Sequence, residues 1–559
     1  MKFKRFILLL LLSITLLFAA SSCKNGDKIK VKSEKTSFVN YSTEYNMTTK
    51  YINTYFVNDS DIRYVDASNF IKSLKGFYLT SYIRTTPLFF TRYLTFYCYV
   101  NTGKSIIKTS VTFNWDDNTI TVNNSMFFNL VNMPSTTNYS RLLSEKDVET
   151  TEEEPLVFDL SKYGFEIYYK NGKCLVPFSI MNTIFCSNDY YNIYYDGSKY
   201  FGVSYDITAF DKDSIIKLKT CDLNSMAQTE ELRLETYNHL KFVLNYYYGL
   251  KDYKGMNDIE ADLAPYKDDI LSLDPEVNKD AYYSYFINHL DELHTRIGSY
   301  SFYYDPTSMA KDDNWDNEKT SESRKKYTQV ENQLKELSSS CYGDENTYRI
   351  SGNTAVIYLK TFTTGTDEQI SGDEAYKYDS YEFVKYALDR IATEGSGVTK
   401  VVLDLSQNGG GNVGALFRVL GFLSNDSVKY YNYDYLFDSS VSALYDIDID
   451  NDGDFTDDDA YTQYNWYVLS SYNTFSAANS FVAMAKSLGA TIIGQRSGGG
   501  MCSVLPIILP DQTTVEMSSN NAQLAEIDGE FQMIESGINP DITIEYEKFY
   551  DINYLNSIL

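Results

Sequence analysis

Lys400-Val-Val-Leu-Asp-Leu-Ser-Gln-Asn-Gly-Gly-Gly-Asn412 is an apolar run of strand length that stops at a polar triplet and three glycines. Valine and leucine suit a pleated, buried surface, and a glycine run supplies the conformations that a tight turn needs. Val413–Leu423 follows with apolar residues at helical spacing, so the stretch reads strand, turn, helix. The same rhythm extends outward. Thr354–Leu359, Trp466–Leu469 and Ala490–Ile493 read as strands, and Tyr381–Glu394 and Ser476–Leu488 as helices. Such alternation predicts an α/β domain with a largely parallel sheet.

Upstream the texture differs. Residues 46–205 are aromatic-rich and β-like, with Asn, Asp and Gly breaks, and read as a mixed β-rich N-terminal domain. Two segments in it, one from Phe56 and one from Ile167, run hairpin then helix. They resemble the small repeats at the N-terminus of copper amine oxidases, with no copper site implied. Residues 206–345 read as a helical region. Thr229 is a plausible N-cap for a helix ending near Gly249, and a second helix covers Asp280–Leu293. Arg324–Leu337 reads as a solvated helix. The core domain spans 346–546, and 547–559 form a tail.

The chain opens with Lys2, Lys4 and Arg5, an apolar run from Phe6 to Phe18, and Ala19-Ala-Ser-Ser-Cys23. A charged start, a short apolar run and small residues form a secretory signal over 1–22. The placement of Cys23 resembles a bacterial lipobox, which implies lipidation at Cys23, a polar tether over 23–45 and an extracytoplasmic, membrane-anchored chain. The net charge of −27 argues against nucleic-acid partners, because phosphate contacts need clustered Lys and Arg. The cysteines beyond Cys23 show no C-x-x-C spacing, which leaves a zinc or redox motif unsupported.

Thr474-Phe-Ser-Ala-Ala-Asn479 follows a strand and opens a helix. A serine there has the Ala477 N–H and the positive end of the helix dipole beside it, as acyl transfer requires. Serine is equally a good N-cap. Its company separates the two readings: Lys400–Asn412 before it, Ile492-Ile-Gly-Gln-Arg-Ser-Gly-Gly-Gly-Met501 and Glu535-Ser-Gly-Ile-Asn-Pro-Asp541 after it, and Leu290-Asp-Glu-Leu-His-Thr295 well upstream. In this order the set resembles the tail-specific, or C-terminal-processing, serine peptidases and their tricorn-like branch. The resemblance implies a ClpP/crotonase-like α/β core with a helical cap, and proteolysis of peptides or unfolded proteins by Ser476. It implies oxyanion donors at Ala477 and at Gly410, with Gly411 as the alternative. The loop after Ile493 lacks the lysine of the lysine-base branch, whereas His294 and Glu535 match the base and late glutamate of the tricorn-like branch. The segment between Tyr300 and Asn346 is too short for a PDZ domain. Asn479 stands where the family usually has an acid, so a catalytically inactive surface binding lipoprotein is the alternative.

No cofactor is expected for catalysis. A separate stretch, Asp448-Ile-Asp-Asn-Asp-Gly-Asp-Phe-Thr-Asp-Asp-Asp459, places carboxylates at positions 1, 3, 5 and 12 of an EF-hand-like loop with glycine at 6. Asp448, Asp450, Asp452, Asp454 and Asp459 are therefore candidate ligands of a structural calcium in an acidic insertion over 446–460. Gly409-Gly-Gly-Asn-Val-Gly414 satisfies the dinucleotide pattern, but three polar residues separate it from its strand.

Overall fold

The computed structural model of this chain describes residues 29–86, 92–101, 105–308, 320–341, 347–455, 460–527 and 530–559. The signal segment and Cys23 lie outside the described residues. Among the described residues no helix is long and apolar enough to cross a membrane.

The domain expected from Lys400–Asn412 is built on a six-stranded sheet. Its order is Tyr348–Ser351, Thr354–Tyr358, Lys400–Asp404, Asn465–Ser470, Thr491–Gly494 and Ile542–Thr543. The first pair is antiparallel and every later pair is parallel. The central strands are apolar between their end residues because both faces are covered. Val401, Leu403 and Val468 pack with Val384, Leu416 and Phe481 of the helices Ser380–Glu394, Val413–Leu420 and Ala477–Ser487. Val402, Leu469 and Ile493 face the other way, onto Val330, Leu334 and Leu555.

That second layer corrects two expectations. The charged helix, Glu322–Ser338, is not solvated all round: Arg324, Thr328, Val330, Leu334 and Ser338 are buried. The segment 547–559 is no loose tail either, since its helix Ile552–Ile558 seals the sheet through Leu555. Both bury an apolar stripe, and in Glu322–Ser338 the surrounding charge hides it.

A second sheet had no counterpart in the sequence reading. Its path is Arg296–Ser299, Thr514–Ile527, Val428–Asp434, Ser439–Ile447 and Leu143–Thr150, with Cys502–Ile508 also paired to Thr514–Ile527. Leu143–Thr150 belongs to the expected N-terminal domain yet pairs with Ser439–Ile447 of the C-terminal half.

In the N-terminal half, the two hairpin–helix units meet edge to edge. Tyr51–Val57 and Tyr64–Asp66 lead to helix Ala67–Ser73, and Tyr168–Lys170 and Lys173–Pro177 lead to helix Phe178–Phe185. The equivalent strands Tyr64–Asp66 and Lys173–Pro177 pair antiparallel, Val65 opposite Val176. The tether expected over 23–45 is in part a ten-residue strand, Val31–Asn40, inside this sheet. Lys32, Glu34 and Lys35 are exposed and only Thr36 and Phe38 are fully buried, so the charged first half of the strand reads as a polar linker.

The halves share one hydrophobic core running from Phe38 to Ile538. Asn192 donates to the Pro506 carbonyl at 3.3 Å, and the Tyr195 N–H donates to Gln512 at 2.7 Å. Buried Arg233 pairs with Asp511 at 2.7 Å. All six cysteines of the described residues are free thiols.

Candidate active site

The turn between Asn465–Ser470 and the helix Ala477–Ser487 is held on every side. Thr474 Oγ1 donates to the Leu405 carbonyl at 2.7 Å and accepts the Ser471 N–H at 2.9 Å. The Phe475 N–H donates to the Asn408 carbonyl at 3.1 Å, and the Ser476 N–H to the Gly499 carbonyl at 2.8 Å. These bonds keep Ser476 at φ 57 and ψ −125, where a side-chain-bearing residue is strained by about 1–3 kcal/mol. At that geometry the serine makes no side-chain capping bond to its own helix. The N-cap alternative therefore fails. The hydroxyl is left free at the positive end of a helix dipole.

The glycine turn packs against this serine. A Cβ on Gly410 would lie 2.8 Å from Ser476 Cβ and 3.0 Å from the Ala477 nitrogen, so only glycine admits the approach. Gly410, expected to be the better placed of the two donors, has its N–H engaged elsewhere, however. The Gly410 N–H is spent on Asn408 Oδ1 at 2.9 Å. Gly411 is held in place by its neighbours, through the Phe362 N–H to the Gly410 carbonyl at 2.9 Å and the Asn412 N–H to the Phe362 carbonyl at 2.8 Å. Gly411, Ser476 and Ala477 all line one open cleft of about 950 Å³.

His294 lines the same cleft. Helix Pro275–Tyr282 runs on into a π-helical turn, Tyr283–His289, which re-aims the chain before strand Arg296–Ser299. The His294 ring packs on Phe475, the residue before the serine, with centroids 4.6 Å apart. Both ring nitrogens are buried without a hydrogen-bond partner. Burial holds the imidazole below its ordinary pKa, against the opposing pull of the Glu292 carboxylate. His239 is instead a core residue, bonded to Thr183 at 3.0 Å, and burial pushes its pKa down to about 3. His289 is exposed and bonds Asp262 at 2.8 Å.

Glu535 does not touch the His294 ring. Its Oε2 accepts the Met501 N–H at 2.8 Å, on the loop whose Gly499 carbonyl holds Ser476. Burial, then the neighbouring Glu292, push its carboxyl up to about 7. The Glu535 loop is fastened by Asn479, which donates to the Ile534 carbonyl at 3.0 Å and accepts from Ser497 at 2.7 Å. The Glu535 carbonyl oxygen lies 1.8 Å from where a Gly499 Cβ would stand. Gly499→Ala should therefore displace the Glu535 loop and Ser476 together, and cost roughly 2–4 kcal/mol in denaturant unfolding.

Two site residues went unread in the sequence. Glu292 accepts the His294 N–H at 2.7 Å, and its other oxygen is buried without a partner. Its place two residues before the histidine, where a carboxylate can turn back on its own chain, was the available signal. Arg324, dismissed with its charged helix, donates to the Thr295 carbonyl at 2.6 Å and to Ile287 at 3.3 Å, bracing the His294 segment. Arg324→Met should cost about 2–3 kcal/mol and lower kcat more than it changes KM, read by melting and by steady-state kinetics.

Asp448, Asp450 and Asp452 each bring a carboxylate oxygen within 4.8 Å of the others. Asp454 turns its carboxylate to the Phe455 N–H instead, and Asp459 lies outside the described residues.

Among curated proteins none matches the sequence. Solved structures similar to this chain include a lipoprotein from Streptococcus agalactiae, at 13% identity over 60% of this chain and 98% of that one, TM-score 0.36. Another is mature CPAF complexed with lactacystin, at 11% identity over 59% and 97%, TM-score 0.39. A third is the photosystem II D1 C-terminal processing protease, at 18% identity over 35% and 43%, TM-score 0.24. These likenesses place no residue of the site. Residues 353–544 match the family model for peptidase family S41, a span that holds the glycine turn, Ser476 and Glu535 and leaves His294 outside it.

Proposed function

We propose that this chain is a serine peptidase that cleaves peptides or unfolded proteins through an acyl-enzyme on Ser476. The observation that carries the reading is a strained, uncapped serine beside a buried histidine with both nitrogens open. His294 takes the hydroxyl proton as Oγ attacks the scissile carbonyl carbon, then returns it to the leaving amine. Water repeats the cycle on the ester. The N–H groups of Ala477 and Gly411 receive the developing oxyanion. Glu292 and Glu535 hold the His294 segment and the Ser476 loop in register. Its fold is a ClpP/crotonase-like core under a helical cap. Labelling by a fluorophosphonate, lost in Ser476→Ala, tests the reading against the inactive binding-protein alternative.

The site lies outside the cytoplasm on a chain anchored through lipid at Cys23, as the pattern of residues 1–23 supports. A calcium ion fits the loop after strand Ser439–Ile447. Three carboxylate oxygens within 4.8 Å suit cation–oxygen distances of about 2.3–2.6 Å. Buried Asp448 is already shaped for this by N–H bonds from Asp452 and Gly453, both 3.1 Å. The ion orders the connection into Asn465–Ser470 and takes no part in acyl transfer. EDTA should then cost about 2–3 kcal/mol of stability, an effect absent from Asp448→Ala/Asp450→Ala. Identical melting curves with and without chelator would remove the ion.

A further inference from the structure

One wall of the Ser476 cleft comes from the N-terminal half, and its chemistry is one-sided. Glu44 and Asp189 supply carboxylates, and Tyr45, Tyr139 and Tyr190 stand around them. Among the described residues no lysine or arginine lines this cleft.

Asp189 is enclosed by protein but keeps a face on the cleft. Its carboxylate accepts one hydrogen bond, from the Tyr78 hydroxyl at 3.3 Å. Burial pushes its carboxyl up to about 7, as expected where no counter-charge offsets the lost hydration. Glu44 is fixed by neutral donors: the Thr136 N–H at 3.1 Å and the Thr136 and Thr137 hydroxyls at 2.7 and 3.0 Å. These orient the carboxylate and leave its charge uncompensated. Burial first, then Asp189, Glu44 and Tyr139, raise the pKa of the Tyr45 hydroxyl, and all four residues line the same cleft.

A desolvated carboxylate without a partner is costly, and a cation that arrives with the ligand removes that cost. Tyrosine faces suit both the aliphatic stem and the charged head of a long basic side chain. We propose that Glu44, Asp189 and Tyr45 form a specificity subsite for a lysine or arginine side chain of the peptide held in the Ser476 cleft. The proposal rests on the reading of that cleft as a peptide site.

The test uses the full chain carrying Ser476→Ala, so that binding is read without turnover. The probes are fluorescein-labelled peptides of one neutral scaffold with lysine, norleucine or glutamate scanned through it. At its best position the lysine peptide should bind at least about tenfold tighter than the norleucine peptide, with glutamate weakest. Adding Asp189→Asn and Glu44→Gln should bring lysine and norleucine within about twofold, and each single change should move the ratio the same way. General attraction to a chain of net charge −27 would barely respond to two charges, so it is separated from a local subsite. Equal binding of the three peptides, or a lysine preference that survives both substitutions, overturns the proposal. Failure of the peptidase reading appears elsewhere, as a native chain that neither reacts with the fluorophosphonate nor turns over peptide.

Discussion

Ser476→Ala is expected to lower turnover of any peptide the native chain cleaves by roughly 10⁴-fold or more, while the fold stays intact. In the proposed mechanism the hydroxyl bonds to the acyl carbon, and the helix it precedes does not use it as a cap. Alanine tolerates the positive φ no better than serine does, so the backbone strain is unchanged. Loss of stability should therefore stay under about 1 kcal/mol, the range for surface changes that remove no cap. Melting and fluorophosphonate labelling on the same preparations check both halves. A variant that still turned over peptide would end the assignment of the nucleophile.

The second large effect belongs to His294. Replacing it by glutamine, which keeps part of the packing on Phe475, should reduce kcat/KM by roughly 10³–10⁴-fold. The pH profile separates this base from its carboxylates. A histidine base works when neutral, so activity falls as pH drops through its pKa. Burial places that limb below the ordinary value of about 6.5. Glu535 has its carboxyl at about 7. If its ionised form is needed to hold the Met501 loop, the native limb falls near 7 instead. Glu535→Gln should then lower the plateau and move the limb to lower pH, where His294 alone sets it. A limb at the same pH in both chains would remove Glu535 from the titration. Lys486→Ala should be nearly neutral, since Lys486 makes an exposed ion pair with Asp541 at 2.6 Å.

The parallel sheet was legible because the middles of its strands are apolar. Thr354–Tyr358, Lys400–Asp404 and Thr491–Gly494 differ from the expected spans by a residue or so at each end. Burial on both faces writes itself into composition, and glycine turns mark where each strand stops. The turn that carries Ser476 was legible as a strand-to-helix junction. The strand Val31–Asn40, the buried face of Glu322–Ser338 and the helix Ile552–Ile558 were not, because each buries one stripe only and is polar on the rest. The 52 tyrosines likewise had no reading in sequence, and several stand in the Ser476 cleft.

What the sequence determined by itself is local: strand–turn–helix units, a serine at a helix start, and a histidine where a helix ends. Tertiary structure alone decided which groups face one another. It tied the Gly410 N–H to the Asn408 side chain and set Gly411 on the cleft. It brought Glu292 beside Glu535 from positions far apart in the chain, through the pairing of Arg296–Ser299 with Thr514–Ile527. It also brought Glu44 and Asp189 of the N-terminal half into the cleft that Ser476 lines. Contacts of that sequence separation leave no periodicity in the chain, since each depends on two surfaces closing over a shared core.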